Sequence, residues 1–313
     1  MTSSDTHAGS HVGSAALVLS GAALFGTIGT AQALGPDVPT PQLAAVRLLL
    51  GALLLVLAAV VTGFSSALST SLRQAPTWWA GVSQVTFNLC FLGAMTEAGV
   101  AVGTLVAIGA TPILTGLATR QVSWRWVLAT AVAVTGLVLL VAGQLATDSP
   151  PSAVGLMLAF GAAASYASYI VAGNVAAARN LDTQPYLAVA FSISALVAAP
   201  LLLSGDVSWA ASVEGAALVI YLAVFATLVA YSLFNRGLSG VRSSTASTLA
   251  LIEPVVAAAL AYALLGETLG LTGLLGAVLI LLGLLLIVRS VATTEQAALT
   301  PGAGGQWVRD SAG

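Results

Sequence analysis

Long apolar runs recur along the whole chain, separated only by short polar breaks. Ten can be placed, at residues 12–34, 42–63, 77–97, 99–119, 123–143, 153–177, 185–204, 212–235, 241–265 and 269–290. A helix needs about 20 apolar residues to cross the hydrocarbon core of a bilayer. Within that core every backbone N–H and C=O must find its partner inside the protein. The runs therefore predict an all-α integral membrane protein of ten transmembrane helices. Composition agrees: 58% of residues are apolar, 6% are charged, and the mean hydropathy is +1.01. A soluble domain carries about 25% charged residues, so a soluble bundle is excluded for want of polar surface. Residues 1–11 and 291–313 are polar, small and Gly- or Thr-rich, and a disordered head and tail are expected there. Ala31-Gln32-Ala33 has the look of a signal cleavage site, but no Lys or Arg precedes the first run, so that helix is expected to be retained.

The charges set an orientation. With the N-terminus cytoplasmic, Arg73, Arg120, Arg125, Arg179, Arg236, Arg242, Arg289 and Arg309 fall on the cytoplasmic side, and the opposite loops hold Asp37, Glu97, Asp148, Asp206, Glu214 and Glu267. This is the asymmetry that cytoplasmic loops of membrane proteins carry, and it predicts both termini inside, in the inner (cell) membrane. Trp78, Trp79, Trp124, Trp126 and Trp209 fall at run ends, as an interfacial aromatic belt would. No basic cluster exists, so nucleic acid is not an expected partner.

The chain also repeats itself. Gly13 to Gly29 can be laid over Gly155 to Val171, the runs from Pro41 and Pro185 match, and Thr111-Pro112 falls on Glu253-Pro254. Each half, 12–143 and 153–290, holds five runs. Two copies of an odd-numbered unit must lie in opposite orientations, an arrangement that transporters use with the substrate site at midplane between the halves.

Polar groups at membrane depth are the candidate site. Glu253 costs about 2.5 kcal/mol or more to place at a helix centre and so marks function by default. It is expected to hold a proton, to pair with a substrate ammonium, or to bond a neighbouring helix. Pro112 and Pro254 each remove a backbone donor and are expected to kink their helices, leaving the carbonyls of Ile108 and Ala250 open to a substrate. Arg47 lies about 8 Å along its helix from Gln42. It is placed to capture a carboxylate, to snorkel to the outer surface, or to pair with an acidic residue. Gln84, Asn88 and Phe91 share one helix face by their spacing. Tyr166 and Tyr169 lie three apart, Tyr231 and Asn235 four apart. Such residues suit amphipathic ligands or bonds between helices. Arg47 and Glu253 together are expected to bracket the two charged ends of one substrate, provided that they lie within one amino acid's reach. Gly99, Gly103 and Ala107, and Gly276 and Gly283, form small-residue stripes for close helix packing, the second also suited to a dimer contact.

Several chemistries are excluded. No histidine falls within a run, no metal-ligand cluster or Ser/His pair exists, and no aspartate lies at depth for an aspartyl dyad. Cys90 is the single cysteine, so no intramolecular disulfide forms. No phosphate loop is present. No cofactor is expected, and transport must draw on an ion gradient or the substrate's own gradient.

Glu253-Pro254, Leu265-Gly266-Glu267 and the run YSLFNRGLSGVRSSTASTLALIEPVVAAALAYALLGETLGLTGLLGAVLILLGLLLI resemble the EamA family of the drug/metabolite transporter superfamily. The first half keeps Arg47 and Pro112 but has Arg120-Gln121-Val122-Ser123 where the family carries Gly-Glu. The resemblance implies a ten-helix secondary transporter, usually an exporter of amino acids or other small metabolites, with helices three, four, eight and nine lining a central cavity. An exporter of lipophilic cations is the alternative. A non-transporting scaffold, with an apolar-filled interior, or an intramembrane enzyme, with a second ionisable group beside Glu253, are rivals of other classes.

Overall fold

A computed structural model describes residues 11–142 and 152–299, and every regular element among them is helical. In chain order these are α1 (His11–Phe25), α2 (Ile28–Leu34), α3 (Thr40–Val61), α4 (Ser65–Leu72), α5 (Ala75–Ala98), α6 (Val100–Thr119), α7 (Trp124–Ala142), α8 (Ala153–Ala178), α9 (Thr183–Ala198), α10 (Val213–Ala223), α11 (Ala230–Leu238), α12 (Ser243–Leu249), α13 (Ile252–Leu265) and α14 (Leu271–Leu299). The ten apolar runs coincide with helical stretches, several of them built from two consecutive elements. Among the described residues nine such stretches are long and apolar enough to cross a membrane. The remaining stretch, α5, is 24 residues long but more polar, because it carries Gln84, Asn88, Thr96 and Glu97.

Two expectations change at the ends of the runs. The last helix continues to Leu299, so the segment expected to be disordered from residue 291 begins as helix. Ala, Glu, Gln and Leu, which make up most of residues 291–299, are good helix formers. His11 is the first residue of α1, and its Nδ1 lies 2.6 Å from the carbonyl oxygen of Gly240. Trp126, near the start of α7, packs against Gly116, and its Nε1 donates to the carbonyl of Ser244 at 2.8 Å. The remainder of the expected head and tail, together with Asp148 and Arg309, lies outside the described residues.

Close helix contacts follow the small residues. In the main pairings α5 packs on α8, α7 on α14, α6 on α8, α3 on α9 and α1 on α11. Gly276 and Gly283 meet the backbone of Gly136, Leu140 and Ala129, so this stripe lies inside the chain against α7, where the dimer contact suggested for it has no room. Gly103 meets Ala94 and Met95 in the same way. Missing side chains let these backbones approach, and that is how helices associate where no hydrophobic driving force separates protein from lipid.

The interruptions of the helices are as informative. The α1–α2 stretch breaks at Gly26-Thr27, where Thr27 Oγ1 donates to the Leu24 carbonyl at 2.7 Å. Between α10 and α11 the chain forms a wider π turn, Val224–Val229, bridged by Thr227 Oγ1 to the Leu222 carbonyl at 2.9 Å. Helix α12 ends at Leu249, and α13 begins at Ile252 after two intervening residues. Pro254 therefore stands in the first turn of α13, where a missing N–H costs nothing because first-turn donors lack partners anyway. The proline stands directly after this interruption of the Ser243–Leu265 span. Helix α6 runs unbroken through Pro112.

Candidate functional site

One cavity of about 430 Å3 dominates the interior, a size within the range of small-molecule sites, roughly 300–1,000 Å3. Its walls come from the α1–α2 break (Phe25, Gly26, Ile28), α3 (Leu43, Ala44, Arg47), α5 (Gln84, Phe87, Asn88, Phe91), α6 (Thr104, Ile108), Tyr166 of α8, Tyr231 of α11, and α13 (Glu253, Pro254, Ala257, Ala258). Further lining residues (Gln32, Thr40, Met95, Val100, Val141, Leu265 and Glu267) all sit near helix ends on one side of the bundle.

No lining residue comes from the opposite end. There the start of α12 is tied down on several sides. Ser243 Oγ donates to Asn174 Oδ1 at 2.8 Å, and Asn174 Nδ2 donates to the carbonyls of Leu238 and Val241 at 2.7 and 3.1 Å. Ser244 Oγ donates to the Gln121 carbonyl at 2.8 Å, next to the Trp126 contact. Ser243, Ser244 and Thr248 are buried. The cavity is thus open toward one end of the bundle and backed by a hydrogen-bonded layer at the other.

Arg47 faces the cavity; it does not snorkel. Its Nη2 donates to Asn88 Oδ1 at 2.8 Å. Asn88 Nδ2 in turn donates to the Gln84 carbonyl one turn earlier, at 2.8 Å, and Gln84 Nε2 donates to the Tyr231 hydroxyl at 2.7 Å. The face of α5 expected from its spacing is therefore real: Gln84, Asn88 and Phe91 all line the cavity. Arg47 Nε and the Tyr166 hydroxyl are buried with no hydrogen-bond partner among the described residues. Such groups are costly in a dry interior.

Glu253 lies in the first turn of α13, where the free N–H groups of a helix start favour a carboxylate. It is within electrostatic reach of Arg47 across the cavity. Among the described residues neither group has an ion-pair partner. The Ala250 carbonyl, expected to be open to substrate, is taken by the Glu253 backbone N–H at 3.0 Å. The helix break lets the chain turn tightly enough to close that bond.

Rings form the rest of the wall. Tyr231 packs against Phe25 and Phe191, centroids 4.6 Å apart in each case, and Phe87 lies 5.3 Å from both Phe91 and Tyr166. Tyr169 is not part of the cavity. It is buried behind Tyr231, and its hydroxyl accepts from Asn235 Nδ2 at 2.7 Å. Pro112 also lies away from it. Sequence reasoning missed Phe25, Gly26 and Phe87. Phe87 stands three residues after Gln84, on the face already singled out, and so was within reach of the spacing argument; the break at Gly26 left no such signal. Among the described residues no group of three His, Cys, Asp or Glu side chains could hold a metal ion.

Comparison with known proteins places this geometry. Residues 153–289 match the EamA-like transporter family. The chain is 36% identical over 284 residues to the uncharacterized transporter YwfM of Bacillus subtilis, covering 86% of this chain and 92% of that protein. It is 33% identical over 259 residues to the threonine/homoserine exporter RhtA of Escherichia coli K12, covering 81% of this chain and 83% of RhtA. A crystal structure of a protein 20% identical in sequence superposes with a TM-score of 0.77 over 90% of this chain and 98% of that one, which supports the fold. On these full-length similarities, carried through both halves, the chain belongs to the EamA-like transporter family.

Proposed function

We propose that this multi-pass membrane transporter exports small zwitterionic metabolites, amino acids above all, from the cytoplasm by alternating access. One observation carries the reading: Arg47 and Glu253, opposite charges without ion-pair partners, line the same cavity. A charge in a low-dielectric interior needs compensation, and a zwitterion supplies both halves at once. The aromatic wall then accommodates an uncharged side chain. RhtA, named as a threonine/homoserine exporter, is a relative over most of its length.

The architecture we propose is ten spans in two inverted five-helix halves in the inner membrane, with α5 as the tenth. Helix pairing supports it. Exchanging the halves turns the α5–α8 pair into α11–α1 and the α6–α8 pair into α12–α13 on α1, while α3–α9 and α7–α14 map onto themselves; all of these contacts are present. With the arginine-rich loops in the cytoplasm, the cavity mouth faces outward and the layer around Ser243, Asn174 and Trp126 closes the cytoplasmic end. This is the outward-open state of an alternating-access cycle, and Glu253 is the group placed to exchange a proton with the outer medium. A second reading, export of lipophilic cations, is favoured by the same aromatic wall with Glu253 alone.

The deciding experiment is counterflow in proteoliposomes with threonine, homoserine, other amino acids and tetraphenylphosphonium. Amino-acid exchange that is lost in Arg47→Gln supports the zwitterion reading. Exchange of tetraphenylphosphonium alone, unaffected by Arg47→Gln, would replace it with the cation reading.

A further inference from the structure

We infer that Asn88 sets the charge selectivity of the cavity: it is a positioning residue that holds Arg47 for a substrate carboxylate without neutralising it. The inference rests on the amino-acid reading above. An arginine at this depth needs a hydrogen-bond acceptor, and the acceptor most often supplied is a carboxylate, which would form a bidentate pair and cancel the charge. Here the acceptor is an amide. It takes one of the five guanidinium N–H donors and contributes only a dipole.

The orientation of that amide follows from its own bonds. Its NH2 group donates to the Gln84 carbonyl within α5, so its oxygen must face Arg47. A flipped amide would set donor against donor. Asn88 is 8% exposed, and both of its ends are engaged, so it cannot swing away to follow the substrate. Gln84, bonded to Tyr231 on the facing helix, steadies the same stretch of α5.

Arg47 is therefore fixed while its charge stays open. Its Nε has no acceptor among the described residues, and its opposite in sign, Glu253, stands across the cavity without closing the gap. A ligand that carries only an ammonium satisfies Glu253 and leaves Arg47 uncompensated. A ligand with a carboxylate as well satisfies both. Discrimination between the two then arises from the unpaired charge left behind when the wrong one binds.

The test uses the purified full-length protein in proteoliposomes, with threonine and threoninamide as probes; the amide keeps the ammonium and lacks the carboxylate. The wild type is expected to prefer threonine. In Asn88→Asp the ratio of threonine to threoninamide uptake should fall by at least about tenfold, with threoninamide uptake kept or raised, because the new carboxylate engages Arg47. Asn88→Ser, a neutral acceptor, should keep threonine the better substrate. An unchanged ratio in Asn88→Asp, or an equal loss of both probes in both variants, overturns the inference while leaving the amino-acid reading standing. A wild type that takes up threoninamide as well as threonine, and is indifferent to Arg47→Gln, overturns that reading and this inference with it.

Discussion

Gly26 packs directly on the backbone of Glu253. A Cβ at position 26 would collide with the Glu253 carbonyl oxygen and press on Val256. The break between α1 and α2 therefore meets the break between α12 and α13 at one point on the cavity wall. Gly26→Ala should shift the first turn of α13, and the carboxylate with it, by a few tenths of an ångström or more. Misplacement on the scale of 1 Å can cost about 100-fold in rate, so transport should fall by at least about tenfold. Counterflow, with size-exclusion profiles to confirm a folded protein, measures this; a rate equal to wild type would show that the junction yields.

Glu253→Gln keeps the shape of the side chain and removes its charge. Uptake driven by an imposed pH gradient should be lost, while threonine counterflow, which needs no net proton movement, should be retained in part. Insertion should be normal, since the substitution lowers the cost of placing this residue in the membrane. Transport with the wild-type dependence on external pH would make Glu253 structural.

What the sequence revealed, and what it hid, divides along physical lines. Run length and hydropathy are local quantities, and they located every long helical stretch, missing only the short α4 between two runs. Spacing within one helix is nearly as local, and it put Gln84, Asn88 and Phe91 on one face. The misreadings concern partners. Tyr169 and Tyr166 differ by three residues and look equivalent in sequence, yet one hydroxyl meets Asn235 from another helix and the other has no hydrogen-bond partner among the described residues. Pro112 and Pro254 match in the repeat, yet only the second stands beside a break, because Glu253 N–H turns back to Ala250 there. Arg47 gave no sign of its direction until a second helix supplied Asn88. Contacts between segments distant in sequence decide the first and the last of these, and a local backbone bond decides the second.

Cysteine labelling distinguishes the two ends of the cavity. In a Cys90→Ser background, cysteines at Ala44 or Ala257, both on the cavity wall, should react with a small charged thiol reagent added from outside. A cysteine at Ser247, buried in α12, should react far more slowly. Trp126→Ala removes the indole donor that holds Ser244 and should raise the Ser247 rate from the cytoplasmic side, as the closed end loosens. Equal labelling of Ala44 and Ser247 from outside would contradict the proposed orientation.

Tyr166→Phe and Tyr169→Phe form a matched pair, each losing one hydroxyl. The Tyr169 hydroxyl accepts from Asn235 Nδ2, which also donates to the Tyr231 carbonyl at 2.9 Å. Its removal costs a buried hydrogen bond, about 1 kcal/mol, and should lower thermal stability with little change in substrate affinity. The Tyr166 hydroxyl is buried at the cavity with no protein partner. Its removal relieves an unsatisfied group, so stability should hold or rise. If that hydroxyl meets the substrate, half-saturation for threonine should rise about threefold to tenfold, the span of a single hydrogen bond of roughly 0.5–1.5 kcal/mol. Thermal unfolding in detergent and concentration-dependent counterflow read the two effects separately. An unchanged half-saturation in Tyr166→Phe would place the substrate elsewhere on the aromatic wall.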